Sequence, residues 1–381
     1  MRRILFFVGM KVVPMLVLAQ VGYGDTKLEY GKYAVGFKTL LTYDLSRPAV
    51  AEQPAKDKAG RFMQVNIWYP AKLPGIAVPM KYKDYIGLLA QQSGKDNVNA
   101  QVVAVKQFFN NVAEIKGDTA LLRKHFNGLA ESRTKAYKNI PVARGSFPLI
   151  IYPDQASNQN ILCEYLASQG YVVASAPLKG TYSTGFDYSI TGIESGINDL
   201  QFVLSVVRSE FPVRQSFVTM GLGISATIAL GLQMRNPDVA GIISLEGGIT
   251  TGFEFNLIRQ SSFFDINRIN KPMLIAYAPH PDVKPAITDA YEYADRWLVS
   301  FPQSTEFYFL NYGVWESRMK GILGPAPGDT KSSFEQASRY VLHFLNTVFN
   351  GKELKFRAPD GDEAIAKASF KKSVPVPNPK L

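Results

Sequence analysis

The chain has 381 residues, 46% hydrophobic and 19% charged, with a formal net charge of +10. This is the balance of a globular protein with a sizeable core, and no apolar run reaches the ~18 residues that a membrane-spanning helix needs. The one cysteine, Cys163, excludes an internal disulfide and a Cys-based metal site, and the basic residues form no aromatic-interleaved stripe for nucleic acid.

At the N-terminus, Arg2 and Arg3 precede Ile4-Leu5-Phe6-Phe7-Val8, and after Lys11 a second apolar run extends from Val12 to Ala19. A charged start, an apolar stretch and Val17-Leu18-Ala19 before Gln20 make the pattern of an export signal. Lys11 interrupts the stretch, and a start at Met10 would restore the charged-then-apolar order. Residues 1–19 are therefore set apart as a signal peptide, with a periplasmic or secreted protein as the expectation and the folded domain over residues 20–350.

The first strand-like runs, Val35 to Leu41 and Met63 to Tyr69, alternate in polarity and suit antiparallel strands at one edge of a sheet. The polar segment between them, Arg47 to Arg61, is a loop. Over residues 100–138, Val105, Phe108, Phe109, Val112, Ile115, Leu121, Leu122, Phe126 and Leu129 recur at helical spacing. This helical insert is either a lid or a helix pair packed on the sheet. His125 lies on its pattern as a packed or exposed helix residue.

Fully apolar runs follow at 148–152, 171–175, 217–220, 241–245 and 273–277, as expected of central parallel strands covered on both faces. Helices at Asn160 to Gln169, Gly192 to Arg208 and Ser225 to Met234 alternate with them. Cys163 falls on the buried face of the first. A last strand is expected at Glu306 to Leu310, before a helix from Lys331 to Asn350 that carries His343. The tail, 351–381, is basic and Pro-containing. Its lysines offer a peripheral contact with an anionic envelope, and Val374 to Leu381 is expected to lack structure.

A strand turning sharply into a helix at Met220-Gly221, within this order of elements, points to the α/β-hydrolase fold: a mostly parallel central sheet with helices on both faces. The chain resembles the dienelactone hydrolase and platelet-activating-factor acetylhydrolase-like family of that fold. The resemblance is carried by Val35-Gly36-Phe37 with Tyr43 to Arg47, by Asn66 to Ala71, by Leu162 to Ala174, by the elbow Gly221 to Ser225, and by Ile242 to Gly247. It implies hydrolysis of esters, lactones or short acyl lipids by a serine or cysteine nucleophile.

The elbow departs from that implication. It reads Gly221-Leu222-Gly223-Ile224-Ser225, with glycine where the nucleophile belongs, and glycine cannot form an acyl-enzyme. Ser225 becomes the nucleophile if the register shifts by two, but Thr227 and Ile228 then fall where the turn wants small residues. For the acid, the resemblance implies Glu246, while Asp282 stands where most other α/β hydrolases carry theirs. The general base has to come from the loop after the last strand. No histidine lies between 281 and 342; Val314 takes the expected position, and His280, at a strand end, is the remaining candidate. In the oxyanion segment, Asp154 and Gln155 replace the usual His-Gly, and an Asp there would oppose a developing oxyanion. Leu222 and Ile224 complete that region.

No metal spacing is present, Asp360 to Glu363 is too short for a calcium loop, and Ala226 replaces the third glycine of a dinucleotide fingerprint, so neither metal nor cofactor is expected. These features lead to an exported, non-catalytic member of the family that binds a small acyl or aromatic ligand. The alternatives are an active esterase using Ser225 and an envelope scaffold. A cavity bounded by Gln155, Gly223 and Val314 is the expectation for ligand binding, and a filled site there the expectation for a scaffold.

Overall fold

The computed structural model describes residues 22–48, 60–92, 98–181, 185–351 and 364–377. The export segment 1–19, Asp360 to Glu363 and most of the tail's basic cluster lie outside them. The strands are β1 (Ala34–Asp44), β2 (Arg61–Ala71), β3 (Ala136–Lys138), β4 (Phe147–Tyr152), β5 (Val172–Ser175), β6 (Val213–Leu222), β7 (Val239–Leu245), β8 (Met273–Tyr277), β9 (Arg296–Ser300) and β10 (Lys367–Lys371). They form one sheet in the order β10-β9-β8-β7-β6-β4-β5-β2-β1-β3. β4 to β9 run parallel to one another, and β2 pairs antiparallel with both β5 and β1.

Alternate residues of the central strands feed opposite faces, as the pleat requires. Ile150, Val218, Met220, Ile243 and Leu274 point to one buried cluster. Leu149, Ile151, Phe217, Ile242 and Met273 point to the other. The first face is covered by α1 (Tyr82–Gly87), α2 (Ala100–Glu114), α3 (Thr119–Glu131), α4 (Ala156–Ser168), α8 (Tyr312–Trp315) and α9 (Thr330–Asn350). The second is covered by α5 (Ile190–Glu210), α6 (Ile224–Arg235) and α7 (Gly252–Ile258). Each fully buried Leu, Ile or Phe in these layers contributes about 1.5–3 kcal/mol. Among the described residues no helix is long and apolar enough to cross a membrane.

Helix starts follow local chemistry. Asp118, Ser189 and Asp329 accept hydrogen bonds from the first free amides of α3, α5 and α9, and α9 stops at Gly351 with φ +59. α2 and α3 pack Phe108, Val112, Leu122 and Leu129 into the first cluster, so the insert is a helix pair docked beside the sheet. Cys163 is buried in that same cluster. Glu164 is held by Tyr85 Oη, Asn160 Nδ2 and the Lys135 amide, each at 2.8 Å, and this ties α1 to α4.

Two elements differ from the sequence expectation. Glu306 to Phe309 forms a single 3-10 turn that buries Tyr308 and Phe309, and the last parallel strand is β9, ten residues earlier. Lys367–Lys371 of the tail adds an antiparallel edge strand against β9, with Phe370 stacked at 5.0 Å on Trp297.

A cavity beside the elbow

β6 ends at Leu222 and α6 starts at Ile224, so the reversal from strand to helix falls on Gly223, at φ +54 and ψ −130. An L residue is strained there by about 1–2 kcal/mol, whereas glycine is not. The turn is also tight on both sides. A Cβ on Gly221 would lie 2.3 Å from the Ala226 nitrogen, and one on Gly248 would lie 2.2 Å from the Gly223 oxygen. Gly223 N donates to the carbonyls of Leu245 (3.1 Å) and Glu246 (2.7 Å), locking the elbow to the end of β7. Gly223 is therefore the apex.

Ser225 lies in the first turn of α6, buried, with its Oγ donating to the Pro153 carbonyl at 2.8 Å. Leu222 and Ile224 flank the apex, Ile224 buried in the second cluster. Asp154 accepts hydrogen bonds from Tyr152 Oη (2.5 Å), the Gln155 amide (2.6 Å) and Asn158 Nδ2 (2.8 Å). Desolvation raises its carboxyl to about 6 despite those bonds. Gln155 accepts from Asn111 Nδ2 at 2.8 Å, which joins it to the helical insert.

Glu246 follows β7 directly, with φ +45, the first of three consecutive residues in the left-handed region. Its side chain is 3% exposed, and Oε2 accepts from the Ala278 amide at 2.5 Å. Burial, reinforced by repulsion from Glu306, pushes the carboxyl up to about 8. Glu306 and Glu254 are raised too, first by desolvation and then by neighbouring carboxylates.

A cavity of about 590 Å³ opens here, at the C-terminal ends of β7, β8 and β9. Gly223, Glu246 and Gly247 form its floor, the segments around Phe253 and Glu254 and around His280, Asp282 and Lys284 its sides, and Thr305 to Phe307 its third wall. Two walls are tied together, because Thr251 pairs with Val283 and the Lys284 amide donates to the Thr250 carbonyl at 2.7 Å. His280 Nδ1 sits 3.4 Å from Asp282 Oδ2, both side chains exposed at the rim.

The structure thus brings Glu246, His280 and Asp282 to one cavity with Gly223 and leaves Ser225, Asp154 and Gln155 outside it. Val314 is displaced from its expected role. It is buried inside α8 among core side chains, and the residue facing the elbow from beyond the last strand is Glu306. The cavity therefore opens on the Glu246–Glu306 side of Gly223 and not between Gln155 and Val314. Glu306, Glu254 and Lys284 were not visible as site residues from sequence. The signal for Glu306 was the aromatic and β-branched run Trp297-Leu298-Val299 closed by Pro302, which marks β9 and puts its outgoing loop at 301–307. Among the described residues no three His, Cys, Asp or Glu side chains could share a metal ion.

No protein-family model matches the chain, and no curated protein does. Among solved structures, a ferulic acid esterase from Streptomyces cinnamoneus superposes with a TM-score of 0.62, covering 91% of this chain and 98% of its own, at 17% identity. Two structures of an acylaminoacyl peptidase from Pyrococcus horikoshii, each 13% identical, cover 56% of this chain and 39% of theirs, with TM-scores of 0.41 and 0.39. At such identities the esterase likeness speaks to the fold and not to the activity. The parallel sheet, its strand order, the glycine elbow after β6 and that superposition agree: the chain has the α/β-hydrolase fold.

Proposed function

We propose that this protein is an exported relative of the dienelactone hydrolases and acetylhydrolases whose catalytic apparatus has lapsed, leaving the cavity beside the elbow as a ligand-binding site. The observation that carries this reading is the pair at the apex, Gly223 facing Glu306. Acyl transfer needs a nucleophile, a base that takes its proton, and donors for the oxyanion. Glycine supplies no nucleophile. A carboxylate at the base position has no hydroxyl to deprotonate, and its charge opposes an oxyanion growing nearby. Ser225 spends its hydroxyl on the Pro153 carbonyl. The cavity nevertheless persists, with the exposed Phe253 and the half-buried Phe307 on its walls as surfaces for an aromatic or short apolar group. Export rests on Arg2, Arg3 and the apolar run ending at Ala19.

The test is turnover. The protein without residues 1–19, offered short acyl esters, lactones and feruloyl esters, is expected to hydrolyse none faster than its Ser225→Ala variant. Hydrolysis that disappears with Ser225→Ala would establish the esterase instead. For export, the protein recovered from the periplasm or medium is expected to begin at Gln20; retention of Met1 in the recovered protein would contradict it.

A further inference from the structure

The chain as a whole is basic, at +10, but the cavity is not. Four carboxylates line it, Glu246, Glu254, Asp282 and Glu306, against Lys284 and the rim imidazole of His280. Among the described residues no Lys, Arg or His forms an ion pair with Glu246, Glu254 or Glu306; the one such pair in the cavity is His280 with Asp282.

Glu246 gives a separate indication. It is 3% exposed and lines the floor, and the Ala278 amide is the only donor among the described residues that reaches its side chain. A buried carboxylate is costly unless a counter-charge and hydrogen bonds complete it. Compare Glu164, equally buried but held by three donors. At Glu246 one oxygen is satisfied by the protein and the remaining capacity faces the cavity.

We propose that the cavity binds a small organic cation, a primary ammonium or guanidinium on a short apolar arm, with its N–H groups donated to Glu246 and Glu306 and its arm against Phe253 and Phe307. This rests on the reading of the cavity as a ligand site. The carboxylate oxygens call for N–H donors, since charge-assisted N–H···O bonds give both strength and direction. A bare metal ion is a poor fit, because no three ligating side chains converge and about 590 Å³ far exceeds one ion. The apolar arm follows from Phe253, 60% exposed on the wall, whose ring gains from cover. An acyl anion would meet the carboxylates as like charges.

Binding also couples to protons. Glu246, raised to about 8, holds its proton near neutrality and releases it when the cation arrives, and Glu254 and Glu306 are shifted in the same direction by desolvation and neighbouring carboxylates. Asp282, His280 and Lys284 are the other charged groups facing the site. Affinity therefore rises between pH 6 and 8, with proton release.

The experiment is calorimetric titration of the protein lacking residues 1–19 at pH 8 with 2-phenylethylamine and phenylguanidine, and with 2-phenylethanol and 3-phenylpropanoate as neutral and anionic counterparts. At least one cation is expected to bind about tenfold or more tighter than the alcohol, a difference of about 1.4 kcal/mol, and the acid not to bind. Glu246→Gln and Glu306→Gln, each checked for an unchanged circular dichroism spectrum, are both expected to erase the preference for the cation. If the alcohol or the acid binds as well as both cations, the charge selectivity is wrong while the ligand site stands. If none of the four binds, the inference fails. Hydrolysis of 2-phenylethyl acetate would instead overturn the non-catalytic reading beneath it.

Discussion

Glu306 Oε1 lies 3.7 Å from the point that a Cβ on Gly223 would occupy, nearer than any other described atom outside the adjoining residues. The apex of the elbow thus has room for a side chain, and the neighbour waiting for it is a carboxylate rather than an imidazole. Gly223 and Glu306 meet in one local arrangement, built by a turn after β6 and a turn after β9.

Gly223→Ser is accordingly expected to fold. Its Cβ would meet no described atom closer than 3.7 Å apart from its chain neighbours, and the cost is the left-handed strain, about 1–2 kcal/mol in urea unfolding. Turnover of p-nitrophenyl acetate is expected to stay near background, because the neighbour of the new hydroxyl is the Glu306 carboxyl rather than an imidazole, and the Gln155 amide is already bonded to Asp154.

Gly221→Ala has the opposite profile. Its methyl would lie 2.3 Å from the Ala226 nitrogen and the Ser225 carbonyl carbon, backbone that cannot move without dismantling the elbow. Destabilisation of more than about 3 kcal/mol, or failure to fold, is expected. A loss below about 1 kcal/mol would mean that β6 and α6 are less closely opposed than described.

Stability should decline as pH rises from the weakly acidic range to about 8. The Glu246 carboxyl has an ordinary value of 4.5 and is raised to about 8 in the fold. Between those values the folded chain holds a proton that the unfolded chain has lost, so stability falls as pH rises through the window. Glu254 and Glu306, also raised, act with the same sign. Denaturation at pH 5 and pH 8.5 should differ by on the order of 2–4 kcal/mol in favour of pH 5, and Glu246→Gln should remove much of that difference.

Away from the cavity, Asp199 binds Arg61 through two contacts of 2.7 Å and reaches Arg47 Nη2 at 2.8 Å, in a buried cluster joining β2 to α5. Asp199→Asn leaves a buried guanidinium without its charge partner. A loss of about 3–5 kcal/mol is expected from urea midpoints. If the loss is under about 1 kcal/mol, the pair is better hydrated than its burial implies.

The central sheet was legible because strands buried on both faces read as unbroken apolar runs: Leu149 to Tyr152, Ile242 to Leu245 and Met273 to Tyr277 could be taken straight from the sequence. The elbow was legible because glycine and small residues are sterically required there. Glu306-Phe307-Tyr308-Phe309-Leu310 misled for a physical reason: a short apolar and aromatic run does not separate a strand from a 3-10 turn that buries the same rings. β9 begins with Arg296 and ends with Ser300, so its apolar centre is only three residues long. That one exchange put the loop expected after the last parallel strand at Val314, whereas the loop leaving β9 carries Glu306. Of the cavity, Glu246, His280 and Asp282 could be named from strand ends. Glu254 and Lys284 could not, because only tertiary contact brings the segments after β7 and β8 together.

The most direct test of the central claim is covalent. A fluorophosphonate added in excess to the protein lacking residues 1–19, followed by intact mass measurement, is expected to leave the mass unchanged. A single phosphonyl adduct mapped to Ser225, and lost in Ser225→Ala, would contradict the account, because it would require a nucleophile that is activated despite its bond to Pro153.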